Sequence, residues 1–207
     1  MPAPVTAIVI LNLKSGAAIE QPLRDILEIF ARQEGFQRIR WGRWEESTDK
    51  AQLLIDWDSL ESHRKFETSG ADFEAVGGIL RPVLVGPPSM YHVHFSPHPP
   101  SAVLAAPVVE LATFYSLSAN FETDITKFLS LLEKAEGCLA ATHGFINEDL
   151  AKEDGEEKGK AYLAAIGWSS VGAHAKAMMT KEVADSVHLA TSGASHVEMR
   201  HVKFQTL

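Results

Sequence analysis

Apolar positions along this chain change their period at regular intervals, and the same succession of periods occurs twice. Residues 5–13 (VTAIVILNL) form a nearly continuous β-branched and apolar run, which predicts a strand. Leu23, Ile26, Leu27 and Phe30 then recur at helical spacing. Pro22 suits the first turn of that helix and Gly35 its end. QRIRWGRWEES (37–47) and KAQLLIDW (50–57) predict a second and a third strand, and MYHVHF (90–95) a fourth. Between the last two, Ser59 is placed to cap a helix that begins at Leu60, because its hydroxyl can accept from an otherwise unpaired backbone N–H of the first turn.

The second half keeps the order. VVELATFYSL (108–117) is a strand, and Ile125, Phe128, Leu129 and Leu132 share one helical face. CLAATHGFINED (138–149) and KAYLAAIGW (160–168) are strands, Ser170 repeats the cap position, and HVEMRHVKF (196–204) closes the set. IDWDSLESHRKF (55–66) overlays IGWSSVGAHAKA (166–177) with Ile, Trp, Ser, His and Lys in common. The closing strands MYHVHF and MRHVKF overlay as well, and Gly42 matches Gly144. A self-similar chain is built from one unit used twice.

Each half therefore reads β-α-β-β-α-β, the ferredoxin-like pattern. Four prolines in SPHPPSAVLAAP (96–107) cannot continue a helix or a central strand, so 97–106 is expected to be a stiff linker between halves 1–96 and 107–207. NEDLAKEDGEEKGK (147–160) is expected to be a charged hairpin loop. A four-stranded sheet with helices on one side needs a cover for its other face. The fold class is thus α+β: two tandem ferredoxin-like halves forming one intramolecular α/β-barrel, the second sheet covering the first.

Composition narrows the partners. A net charge of −8 over 207 residues disfavours a nucleic-acid backbone and an anionic membrane surface. The single cysteine, Cys138, allows no intrachain disulfide and suits a reducing compartment. The apolar start has no basic region before it and is too short to span a bilayer, so a cytoplasmic protein is expected. No nucleotide-binding, zinc-protease or serine-hydrolase motif occurs, so nucleotide cofactors and serine-hydrolase chemistry have no sequence support.

The strand ending in Trp57 or Trp168, the cap at Ser59 or Ser170, the helical His63 or His174, and the closing YHVHF and RHVKF strands resemble the dimeric α/β-barrel superfamily. Within it they resemble the antibiotic biosynthesis monooxygenase type of domain, here duplicated in tandem. The resemblance implies a small enzyme that works without a cofactor on an aromatic or polyketide-like molecule. The superfamily also contains lactone isomerases, polyketide cyclases, haem-degrading oxygenases and members without catalysis, so fold alone does not choose. The haem-degrading branch uses an Asn on the first strand, for which Asn12 is available, and a Trp and a His in the second helix; Phe66 and Ala177 stand where that Trp would be, and no His falls in register after them. A homodimer of the fused barrel is compatible with this fold.

The candidate residues follow. Imidazole titrates near neutral pH, with an unperturbed pKa of about 6.5, and so can take a phenolic or benzylic proton. His63 and His174 are the candidate bases, and His92 and His201 on the closing strands are further catalytic candidates, their blander role being inter-sheet hydrogen bonding across a pseudo-twofold. Trp57 and Trp168 either fill the core or stack on a flat ligand. His92 and His94 stand at i and i+2 and so share a strand face, but without a third ligand no metal site is expected. His143 and Tyr115, candidate substrate-binding residues, break the symmetry of the halves; if only one half holds a pocket, they point to the second. His98 is expected in solvent and Cys138 in the core. Three functions remain: an oxygenase, a non-oxidative cyclase, isomerase or lyase using the same base, and a non-catalytic small-molecule-binding domain.

Overall fold

A computed structural model describes residues 3–151 and 158–207. The middle of the charged loop, 152–157, lies outside the described residues; its base is closed by a bridge between Leu150 and Gly159. The chain divides into two compact units, Met1–His94 with Gln205–Leu207, and Phe95–Phe204.

In the first unit, β1 (Val5–Asn12), α1 (Glu20–Phe30), β2 (Phe36–Arg43), β3 (Lys50–Trp57), α2 (Leu60–Glu67), α3 (Ala71–Leu80) and β4 (Ser89–Val93) follow in order, with a 3-10 turn at Arg81–Val83. In the second, α4 (Ser101–Leu104) precedes β5 (Val108–Leu117), α5 (Phe121–Leu132), β6 (Cys138–Phe145), β7 (Ala161–Trp168), α6 (Val171–Met178), α7 (Lys181–Ser186), α8 (His188–Thr191) and β8 (Ala194–Val202). A last short strand, β9 (Gln205–Thr206), returns to the first unit.

Both sheets are antiparallel around the same ferredoxin-like order. The first runs β4-β1-β3-β2-β9 and the second β6-β7-β5-β8. Strand side chains alternate between faces. On β1, Val5, Ala7, Val9 and Leu11 join the helix-side core, while Thr6 and Ile8 lie on the opposite face and are buried too. On β5 the helix-side set is Val108, Ala112 and Phe114. Val5 pairs with Trp57 and Val108 with Trp168, which sets the correspondence between the halves: Ala7 matches Glu110, and Ala51 matches Tyr162.

The repeated phrase builds the repeated corner. Ser59 Oγ accepts from Ser62 N at 3.1 Å and Ser170 Oγ from Ala173 N at 3.0 Å, so both predicted caps are present. The turn leading into β2 or β6 passes close to this corner, where Asp58 N donates to the Gly35 carbonyl and Ser169 N to that of Gly137. Gly35 (φ +80°) and Gly137 (φ +90°) make this approach, and a Cβ there would lie 2.4 Å from Asp58 Oδ1 or 2.6 Å from Ala173 Cβ. Only glycine combines that φ with that clearance.

Three expectations are corrected. Residues 97–106, expected as a stiff linker between the halves, belong to the second unit: Val103 and Leu104 of α4 are buried, and α4 packs on β6 and β7. Gly167 makes room for it, since a Cβ there would lie 2.7 Å from Ala106. His98 is half-buried rather than solvated. β4 ends at Val93, so His94 leaves the face it would share with His92; it is exposed and bonds the Pro4 carbonyl at 2.7 Å. Among the described residues, no helix is long and apolar enough to cross a membrane.

Candidate functional site

The cap at Ser59 fixes the first turn of α2 so that His63 points back over the end of β3. Its ring lies 4.8 Å from that of Trp57, and its Nδ1 is 2.6 Å from His92 Nε2 on β4. The second half repeats this with His174 at 5.0 Å from Trp168 and 3.0 Å from His201 Nε2. His63, His92 and His174 are all buried, whereas His201 is half-exposed. The four candidate histidines thus form two equivalent pairs, one per unit. In each, one imidazole can accept a proton while its neighbour orients it and shares the resulting charge.

The pairs differ in what lies beside them. Against His63 there is a cavity of about 580 Å³, all of whose walls belong to the first unit. Its walls are almost wholly apolar: Val9, Leu53 and Ile55 from the sheet, Phe30 from α1, Phe66 from α2, Phe73 and Val76 from α3, and Leu84 to Pro88 from the loop before β4. A space of this size and polarity suits a small ligand with an apolar body and few polar anchors. The aromatic wall is made by Phe30, Phe66 and Phe73. Trp57 is fully buried and is not among the walls; it backs His63 instead.

In the second half, bulky side chains occupy the space between sheet and helices. Tyr162 stands where the first half has Ala51, and it packs on Phe121, Phe145 and His143. His143 Nδ1 lies 2.5 Å from the Tyr162 hydroxyl, and burial pulls its pKa down. Tyr115 points to the other face and donates to Glu198 at 2.9 Å. His143 pairs with Ala164 on the helix side, so it and Tyr115 lie on opposite faces and cannot line one pocket. The placing of the pocket in the second half by these two residues therefore fails. Asn12 likewise lies on the sheet face away from the cavity, which removes the first-strand element of the haem-degrading pattern.

The second half also holds a carboxylate that the sequence reading passed over. Glu110 on β5 is 6 % exposed; its Oε2 accepts from Trp168 Nε1 at 2.8 Å and lies 3.4 Å from His174 Nε2. Burial pushes the Glu110 carboxyl up to about 7 and pulls His174 down to about 4. In the first half Ala7 takes its place, and Trp57 Nε1 is buried with no acceptor among the described residues. A single acidic residue inside the apolar run VVELATFY was the available signal. Cys138 is half-buried, and burial raises its thiol to about 11. No three His, Cys, Asp or Glu side chains converge as metal ligands among the described residues.

No family model and no curated protein matches this chain. Solved structures do. The chain is similar to an anthrone oxidase-like protein, at 10 % identity with a TM-score of 0.70, over 99 % of this chain and 93 % of that one. The fold is the one that the sequence resemblance implied. A candidate monooxygenase from Fusobacterium nucleatum aligns over 99 % of this chain and 95 % of its own, at 9 % identity and a TM-score of 0.64. A candidate chlorite dismutase aligns over 98 % and 95 %, at 12 % identity and 0.58. Proteins named for different reactions share the architecture, so the reaction must be argued from the site.

Proposed function

We propose that this protein is a cofactor-independent oxygenase of a small aromatic molecule, with its site in the N-terminal cavity and His63 as the base. The observation that carries this reading is the meeting of a buried histidine pair with a cavity of about 580 Å³ walled by phenylalanines. The candidate substrate is a fused-ring phenol or a related ketone with an acidic C–H. His63 takes that proton, and His92, bonded to His63 Nδ1, shares the positive charge. The carbanion passes an electron to O₂, and recombination of the two radicals forms a C–O bond. The resulting peroxide takes the proton back, and loss of water leaves a carbonyl. One O₂ is consumed, and the methylene carbon is oxidised to C=O. The apolar walls favour this step by keeping water away from the carbanion.

The test is turnover of anthrone with and without oxygen. An oxygenase consumes one O₂ per anthrone oxidised, above the spontaneous rate, and stops in anaerobic buffer. Conversion of a ring substrate at an equal rate without O₂ would make the site a cyclase or isomerase instead.

A further inference from the structure

The cavity carries one permanent charge. Arg81, in the turn after α3, is exposed and is the sole Lys or Arg among the lining residues, and no Asp or Glu lines the cavity. The Arg81 backbone N–H donates to the Gly77 carbonyl, but its guanidinium forms no hydrogen bond or ion pair with any described residue. Arg32 is, by contrast, tied to Asp72, and Asp72 also accepts from Gln33 at 2.7 Å. The acidic side chain nearest the start of α3 is thus already engaged, while the guanidinium at the cavity's exposed edge is not.

We infer that the cavity selects an aromatic ligand bearing an anionic group, held by Arg81 while the ring body packs on Phe66 and Phe73. This inference rests on the N-terminal cavity being the ligand site. A net charge of −8 repels anions at long range, so an anionic ligand needs a local cation, and Arg81 supplies it. A planar guanidinium matches the paired oxygens of a carboxylate or sulfonate with two parallel donors. At the edge of apolar walls the attraction is also less screened than in open water. His63 is 2 % exposed and Arg81 is exposed, so the charged group lies at the solvent side and the reacting carbon at the buried side. Substrate charge thereby fixes which end of the molecule enters first.

Two dyes test this, identical in their rings and differing by one sulfonate: anilinonaphthalenesulfonate and phenylnaphthylamine. Both brighten on entering an apolar site. The wild type is expected to bind the sulfonate about tenfold more tightly than the neutral dye, the factor expected of one charge-assisted contact. Arg81→Gln removes that preference and leaves the neutral dye unchanged, whereas Arg81→Lys keeps part of it. Arg81 is exposed, so these variants retain the fold. A Cβ at Gly77 meets no atom within 4 Å, so Gly77→Phe sends a ring into the cavity without a backbone clash and abolishes both dyes. Equal affinity of the wild type for the two dyes, or equal weakening of both by Arg81→Gln, overturns the role of Arg81 while leaving the cavity intact as a site. Binding that survives Gly77→Phe places the dyes elsewhere and overturns it too. Failure of the wild type to bind either dye removes the ligand site itself, and the oxygenase reading with it.

Discussion

His63 and His174 occupy equivalent positions, yet their surroundings give them different work. His63 meets a cavity, while His174 meets Glu110. The Glu110 carboxyl is held near 7, above its ordinary 4.5, by burial, so the folded protein binds more protons than the unfolded chain between about pH 4.5 and 7. On that account stability falls as pH climbs through the window. His174 is held near 4, below its ordinary 6.5, again by burial, so the folded protein binds fewer protons between about pH 4 and 6.5, and stability rises with pH. The two slopes oppose each other across nearly the same range. His201, which faces both, and Trp168, which donates to Glu110, complete the cluster. The wild type is expected to show a flat contribution from this cluster over that range. Glu110→Gln keeps an acceptor for Trp168 but removes the falling slope, so the melting temperature of the variant should climb from about pH 4 to 6.5 relative to wild type. Superimposable pH profiles would contradict the assignment.

At the scale of elements, the corner between β3 and α2 holds His63, the proposed base, in place. Ser59→Ala should lower stability by about 1 kcal/mol, as for other N-caps, and Ser170→Ala by a similar amount. Ser59 also lies 2.8 Å from Ser62 Oγ, which donates to Asp58 at 2.6 Å, so the first corner should be the costlier one to break. Urea midpoints of the two variants check this. Gly35→Ala brings a left-handed φ and a contact of 2.4 Å together, and should cost at least about 1 kcal/mol. On α3, Gly78 faces open space within a helix, so Gly78→Ala should instead stabilise by about 0.5–1 kcal/mol, read in the same assay. The elements themselves were legible because period and capping are local properties: β1, α1, β3 and α2 fall where the sequence pattern puts them. Local properties did not reveal α4, whose burial depends on a distant glycine at position 167, or the return of β9 to pair with β2.

At the scale of the whole molecule, duplication was legible and the difference between the copies was not. The phrase shared by 55–66 and 166–177 predicts two equal corners, and two equal histidine pairs result. Whether a pair meets empty space is set by bulk that the phrase does not contain. α3 and the loop from Leu84 to Pro88 wall the space beside His63, while Tyr162 packs on Phe121 in the second half. Such volumes are sums over residues from several elements, so no single motif announces a cavity. On the proposed function, activity belongs to the half that holds the cavity. The most direct measurement is kcat for anthrone oxidation by His63→Ala and His174→Ala, each compared with wild type. Loss of a general base typically costs about 10²–10⁴-fold, and that loss is expected for His63→Ala, with His174→Ala near the wild-type rate. A full rate in His63→Ala, or an equal loss in both variants, would contradict the N-terminal cavity as the site of chemistry.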